Sequence, residues 1–273
     1  LSMAKLPGAN LEGIDLTKAN LTGAYLRKAN LRWAKLSGAI LAHVSFCQAN
    51  LSGVNLCGAN LQGINLRLAN LHNANLSWAN LSGARLSGAN LTGVDFNGVK
   101  LADAYMNGVS LTHVALDGVD LSRAKLNGVT LTNANLAVAN LSQAYIRTAH
   151  LDQVNLQAAN LEGADLLSTD LTRSNLSKAN LRTSNLRSAN LTEATLNKAD
   201  LAGANLKTTC LYRAYLWGAN LVATIIDGTD FTGANLRGAK DADVPWQNAI
   251  LDDTTLPNGE VVAGMSVGGR VAA

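Results

Sequence analysis

Catalysis in this chain would have to come from few side chains, because only four histidines and three cysteines stand among its 273 residues. His150 precedes Asp170, with Thr172 close by. If the chain repeats at the spacing between the first two, a base stacks on a carboxylate beside a hydroxyl, the arrangement that activates a nucleophile. A surface ion pair, which stabilises little, is the simpler reading. His72, His113 and His150 would share one side of such a repeat about two layers apart, near 10 Å at β spacing. A metal ion draws its nitrogen ligands to about 2.0–2.1 Å, so these three do not form a metal site. Cys47, Cys57 and Cys210 offer no disulfide framework and favour a reducing compartment. No glycine-rich phosphate loop is present, so no catalytic residue, cofactor or metal is assigned and the chain reads as a non-enzyme.

The element that positions these residues is a five-residue period. Every fifth residue from Leu1 to Leu236 is large and apolar: Leu throughout, except for Phe46, Phe96, Met106, Ile146, Ile226 and Phe231. Two residues before each stands a small or β-branched one, such as Ala4, Ala9, Ile14 or Val44, and the residue just before is usually Asn or Asp. Five matches neither the 3.6-residue helix nor the 2.0-residue strand. Inward residues at i−2 and i satisfy strand alternation for one step, after which the chain must turn a corner. Gly13, Gly23, Gly53, Gly63, Gly83 and Gly93 fall at these corners, where positive φ is expected and a β-branched residue would resist it. Periodicity alone leaves three, four or five sides open.

Runs such as Ala79-Asn80-Leu81-Ser82-Gly83 and Ala199-Asp200-Leu201-Ala202-Gly203 resemble the tandem A(D/N)Lxx units of the pentapeptide repeat proteins, cyanobacterial members in particular. The resemblance implies an all-β fold, a right-handed quadrilateral β-helix with four pentapeptides per coil. Residues 1–240 would then make about 12 coils, a β-solenoid roughly 55–60 Å long. Each buried Leu contributes about 2 kcal/mol. Thr169, Ser174, Ser184, Thr209, Thr224 and Thr229 take inward i−2 sites in the last third. Their hydroxyls must find backbone carbonyls or carry a desolvation penalty.

The repeat fails where Asp241 takes a central site and Pro245 follows. Residues 241–256 read as an irregular capping coil, with Trp246 plugging the open end of the core. Residues 257–273 read as a tail, opened by the turn signal Pro257-Asn258-Gly259, which folds over the cap or meets a second copy. No cap is legible at the amino end, where the sequence enters in register at Leu1. The net charge is +3, and nucleic acid is a poor fit at so mild a value. The period interrupts every apolar run, which excludes a membrane-spanning helix. The cytoplasm is the expected compartment, with the thylakoid lumen or periplasm as alternatives should a signal precede Leu1.

Three surface features remain. Arg27, Arg67, Arg147, Arg187 and Lys207 share one outward position and form a basic column without interleaved aromatics, suited to phosphates or an acidic protein patch. Tyr212, Arg213, Tyr215, Trp217, Val222 and Ile225 form an aromatic cluster with the composition of an interface hot spot. Thr92, Thr112, Thr132, Thr172, Thr192 and Thr232 form a column explained by β propensity at a strand edge. These features favour a non-catalytic scaffold that binds a protein partner, with a structural or regulatory role and a homodimer through a solenoid end as one form of assembly. The alternative implied by the resemblance is a DNA gyrase-binding protection protein. That role rests on mimicry of densely charged DNA, and the positive net charge opposes it.

Overall fold

The computed structural model describes residues 1–263, and residues 264–273 of the tail lie outside the described residues. The backbone of one pentapeptide, residues 50–54, shows the bonding that most repeats follow. Asn50 N–H donates backward to the Ala29 carbonyl at 2.9 Å, and Leu51 N–H forward to Asn70 at 2.7 Å. Gly53 N–H also reaches forward, to His72 at 2.9 Å, while Val54 N–H closes a turn on the Leu51 carbonyl at 3.1 Å. The fifth donor, Ser52 N–H, finds the side-chain Oδ1 of Asn50 at 3.2 Å. Every donor is thus satisfied, as a buried backbone requires, and the Asn or Asp before each Leu is explained by the one donor the ladders leave over.

Where that position is neither Asn nor Asp, the acceptor can come from the preceding layer. Lys125, Tyr145 and Tyr215 lack the carbonyl arm, and the donors that follow them are held by a neighbour's side chain. Asn127 N–H bonds to Asn107 Oδ1 at 2.9 Å, Arg147 N–H to Asn127 Oδ1 at 3.0 Å and Trp217 N–H to Asn197 Oδ1 at 3.0 Å.

Pairing is by isolated parallel bridges between residues 20 apart, as in Asn10 with Asn30, Asp15 with Lys35, Asn20 with Ile40 and Tyr25 with Ser45. A bridge at every fifth residue and an offset of 20 make four ladders round a β-helix solenoid. Asparagines stacked in one ladder add side-chain bonds, such as Asn155 Nδ2 to Asn135 Oδ1 at 2.8 Å. Inside, the central residues from Leu21 to Leu236 are all but removed from water, together with most of the small residues that precede them by two. The inward hydroxyls are satisfied as expected: Thr169 Oγ1 donates to the Ile146 carbonyl at 2.6 Å and Ser174 Oγ to Leu171 at 2.6 Å. Thr254, which the sequence reading passed over, does the same to Phe231 at 2.7 Å.

The corner glycines have positive φ as expected, but the expectation that β-branched residues resist the position needs correction. Positive φ occurs two residues after every central apolar residue from Met3 (58°) to Gly238 (70°), including at Trp33, at β-branched Val138 (57°) and at Thr148, Thr183 and Thr208. A non-glycine residue in this region costs of order 1–3 kcal/mol. The bonds of each repeat and the burial of its Leu outweigh that cost, so the fold, not the local residue, sets the turn.

Within residues 1–240 the ladders are interrupted twice. No bridge joins Ile40 to Asn60, and none joins Asn90 to Ser110 or Asp95 to Ala115. The first opening is a cavity of about 500 Å³ lined by residues that include Ile40, His43, Asn60 and Gln62. The second, of about 200 Å³, is lined by residues that include Asp95, Phe96, Ala115 and Asp117. The second lies beside Phe96, where Val94 and Val114 stack two positions before their central residues. Branched side chains stacked in a layer sized to Leu and Ala crowd it there, since overfilling a packed core is itself destabilising, whereas the ladder that carries Val44 and Ile64 keeps its Ser45–Asn65 bridge beside the first opening.

The third Phe, Phe231, lies under the irregular terminal segment. Trp246 opens the 3₁₀ turn Trp246–Asn248 and meets Phe231 edge-on, with centroids 5.6 Å apart at 64°. Its indole N–H donates to Asp241 Oδ2 at 3.1 Å, which gives a purpose to the carboxylate that breaks the Leu register. Asp230 then pairs with Ile250 and Asn235 with Thr255, after which the chain doubles back through Gly259 (φ 91°) so that Val261 pairs antiparallel with Thr255. The start of the tail therefore covers one edge of the last layer.

Candidate interaction surface

Outward positions are of two kinds, the bridge residue on each ladder and the two turn residues at each corner. The basic column occupies a corner. Arg147 is neutralised there by Asp165, with Nε 2.6 Å from Oδ2, and Lys207 stands 4.0 Å from Asp227. Arg27 donates to Gln48 Oε1 from Nε at 3.2 Å. Arg67 and Arg187 have no ion-pair partner among the described residues. The column is thus a broken file of partly paired cations and not one continuous field.

Aromatics do interleave with bases, one ladder over from the column read in the sequence. Tyr25, Arg85, Tyr105, Lys125 and Tyr145 are bridge residues of one ladder, which also holds Lys5 and Asp165. Lys125 Nζ lies 3.3 Å from the centroid of the Tyr145 ring. The signal was present in the sequence as a column read at the layer spacing through Tyr25, and it was missed because only the corner column was followed.

The aromatic cluster is partly assembled. Tyr215 is 53% and Trp217 49% exposed, and they flank the inward Leu216 on one side of the solenoid. Lys198 Nζ stands 4.7 Å over the Trp217 ring and the Arg213 guanidinium 5.0 Å over Tyr212. Ile225, by contrast, pairs with Asn205, whereas Tyr215 pairs with Thr195 and Asn235. The ladder through Asn220 lies between them, and Val222 sits at the corner beyond it. Val222 and Ile225 are therefore round the solenoid from the aromatic face, because residues five apart advance one ladder and residues ten apart advance two.

The threonine column belongs to corners, not to a strand edge. Thr192 Oγ1 donates to Asn190 Oδ1 at 2.7 Å and Thr132 Oγ1 to Asp152 Oδ1 at 2.7 Å, so the hydroxyls serve the turns. His150 and Asp170 are bridge partners, yet no hydrogen bond or ion pair joins their side chains. Asp170 Oδ1 accepts instead from the backbone N–H of Thr172 at 3.0 Å and from its hydroxyl. The expected surface ion pair is absent because the nearer turn donors take the carboxylate. His72 turns Nδ1 to the Thr92 carbonyl at 3.1 Å, and the three cysteines are free thiols.

Asp95 and Asp103 are among the carboxyls of this surface held below their ordinary value. A hydrogen bond from Ser77 at 2.7 Å, helped by the Asn97 N–H, holds the Asp95 carboxyl below its ordinary value. Arg123, at 2.7 Å, does the same to Asp103 by hydrogen bonding and charge. The first stands on a ladder and the second at a corner, and each is engaged by a side chain of the adjoining layer.

Among the described residues no helix is long and apolar enough to cross a membrane. The sequence signature described as Pentapeptide repeats matches residues 1–32, 29–67, 49–88, 170–207, 184–221 and 209–240. A second signature, described as Pentapeptide repeat region, matches residues 104–181. The chain is similar to HetL, a pentapeptide repeat protein involved in heterocyst differentiation regulation from the cyanobacterium Nostoc sp. strain PCC 7120. Identity is 30% over 94% of this chain and 92% of that one, at a TM-score of 0.39. It is also similar to a pentapeptide repeat protein of the Arabidopsis thaliana thylakoid lumen, 27% identical over 50% of this chain and 68% of that one, at a TM-score of 0.29. Similarity to QnrB1, a plasmid-mediated fluoroquinolone resistance protein, is 17% identity over 93% and 90% of the two chains, at a TM-score of 0.34. The chain matches none of the curated proteins. With these signatures covering most of residues 1–240, and with its backbone pairing at a fixed offset from layer to layer, the chain belongs to the pentapeptide repeat family.

Proposed function

We propose that this protein is a non-catalytic scaffold of about 12 coils, a right-handed quadrilateral β-helix that presents fixed side chains to a protein partner. The observation that carries the reading is the face of Tyr212, Arg213, Tyr215 and Trp217. Two large aromatics stand half-exposed there beside Arg213 and Lys198 on a rigid frame, the composition and preorganisation of a binding hot spot. Regular ladders and committed polar side chains leave little elsewhere that is poised to react. We assign it a structural or regulatory role, in the cytoplasm on the support of its three free thiols, with self-association through the capped end as a further form of assembly. Gyrase protection through DNA mimicry is opposed by the net charge of +3 and by arginines without carboxylate partners.

The test is affinity capture from an extract of the native host with the wild-type protein and with Tyr215→Ala/Trp217→Ala. The reading expects a protein retained by the first and lost by the second. Equal retention by both overturns the assignment of this face. Sedimentation over a concentration series, with and without residues 257–273, separates capture of another protein from self-association.

A further inference from the structure

We infer that Arg67, Arg85, Ser87 and Tyr105 form a binding notch for a phosphoryl group. The four line a cavity of about 280 Å³ on the interleaved face. Its construction follows from the two column types. Arg67 and Ser87 stand one layer apart at one corner, and Arg85 and Tyr105 are parallel bridge partners on the adjoining ladder. The Leu66 N–H donates to the Arg85 carbonyl at 2.8 Å, so the two arginines start from backbone locked in adjacent layers.

Among the described residues neither guanidinium has a carboxylate partner, whereas Arg123, Arg147, Arg173 and Arg182 each have one. The carboxylates nearest in sequence are committed elsewhere, Asp95 to Ser77 and Asp103 to Arg123. Two unpaired cations on one notch repel each other, and a dianion between them removes that repulsion. A guanidinium presents paired N–H donors that match the oxygens of a phosphoryl group, and two of them supply more donors than one tetrahedral anion needs. Ser87 Oγ now makes only a long bond, 3.5 Å, to the Tyr105 carbonyl, which a charged acceptor would displace. Tyr105, 46% exposed, adds a phenol at the rim. The shared chemistry is a phosphate monoester or inorganic phosphate. The inference does not depend on the Tyr215–Trp217 face.

The experiment is calorimetric titration of the full chain with inorganic phosphate and with O-phosphoserine at constant ionic strength, with chloride as the replaced anion. Saturable binding of one equivalent is expected, weakened at least tenfold in Arg67→Gln and in Arg85→Gln but unchanged in Arg187→Gln. Binding of both ligands supports a free-anion site, and binding of O-phosphoserine alone supports a phosphorylated side chain as the source. No saturation with either ligand overturns the inference, as does saturation that survives both notch substitutions. Circular dichroism melting of the two exposed-residue variants confirms that the fold is retained.

Discussion

The indole of Trp33 lies across Gly53, the corner residue one layer on, so closely that a methyl group there would stand 2.7 Å from Nε1. Trp78 covers Gly98 in the same way, whereas Gly58 has nothing near the position a methyl would take. All three glycines have positive φ, 64–65°. Gly58→Ala should therefore cost only the backbone term, about 1 kcal/mol. Gly53→Ala should cost up to about 1 kcal/mol more, because the half-exposed indole must swing off the glycine and leave its present rotamer. Urea midpoints give the difference, and equal losses would mean that Trp33 does not rest on Gly53.

The depressed carboxyl of Asp95 gives a pH dependence with a definite sign. A carboxyl whose folded value lies below its ordinary 3.8 contributes stability above 3.8, and loses it as pH falls through the lower folded value. Ser77→Ala removes the largest cause of the depression. The variant should be less stable than wild type at pH 7, and the two should converge as pH falls through the lowered folded value of Asp95. A constant offset across that range would assign the loss to packing.

The interrupted ladders should exchange their amides fastest. Leu91, Phe96 and Ala115 lack the inter-layer bonds that their counterparts Leu131, Leu136 and Asn135 make at 2.7–2.9 Å. Hydrogen exchange there should be at least tenfold faster than one or two layers further on. Val94→Ala/Val114→Ala relieves the crowding and should slow it. Uniform exchange along the chain would contradict an open layer.

The cap should be costly to remove. Trp246→Ala takes away the edge-on contact with Phe231 and the donor to Asp241, with an expected loss of about 2 kcal/mol for a half-buried ring. Trp246→Phe keeps the contact and should lose less than half of that. Thermal unfolding of the two variants decides between them.

Much of this was legible in the sequence because a strict period leaves little freedom. Leu at every fifth residue marks the core, and Asp241 and Pro245 mark where the regular repeat breaks, although Trp246, Leu251 and Thr254 carry the packing beyond it. The corners were legible where glycine stands, since each glycine from Gly8 to Gly238 has positive φ, but Val138 and Thr148 show that the ladders impose the same turn on residues that give no such signal. The Asn before each Leu was visible as a pattern, but its reason appears only when the Ser52 N–H is seen to have no other acceptor than Asn50. The surface was read one column at a time. That reading joined Ile225 to Tyr215, although ten residues carry the chain two ladders on, and it overlooked Tyr105, Lys125 and Tyr145 for the same reason.

The central claim, that Tyr215 and Trp217 form a face bound by a protein, is tested most directly by oxidative footprinting of the four tryptophans. Trp33 and Trp78, exposed at 55% and 66%, are internal references for Trp217 at 49%. In an extract of the native host, Trp217 and Tyr215 should become protected relative to the purified protein while Trp33 and Trp78 label as before. Equal labelling of Trp217 in both states would contradict the account.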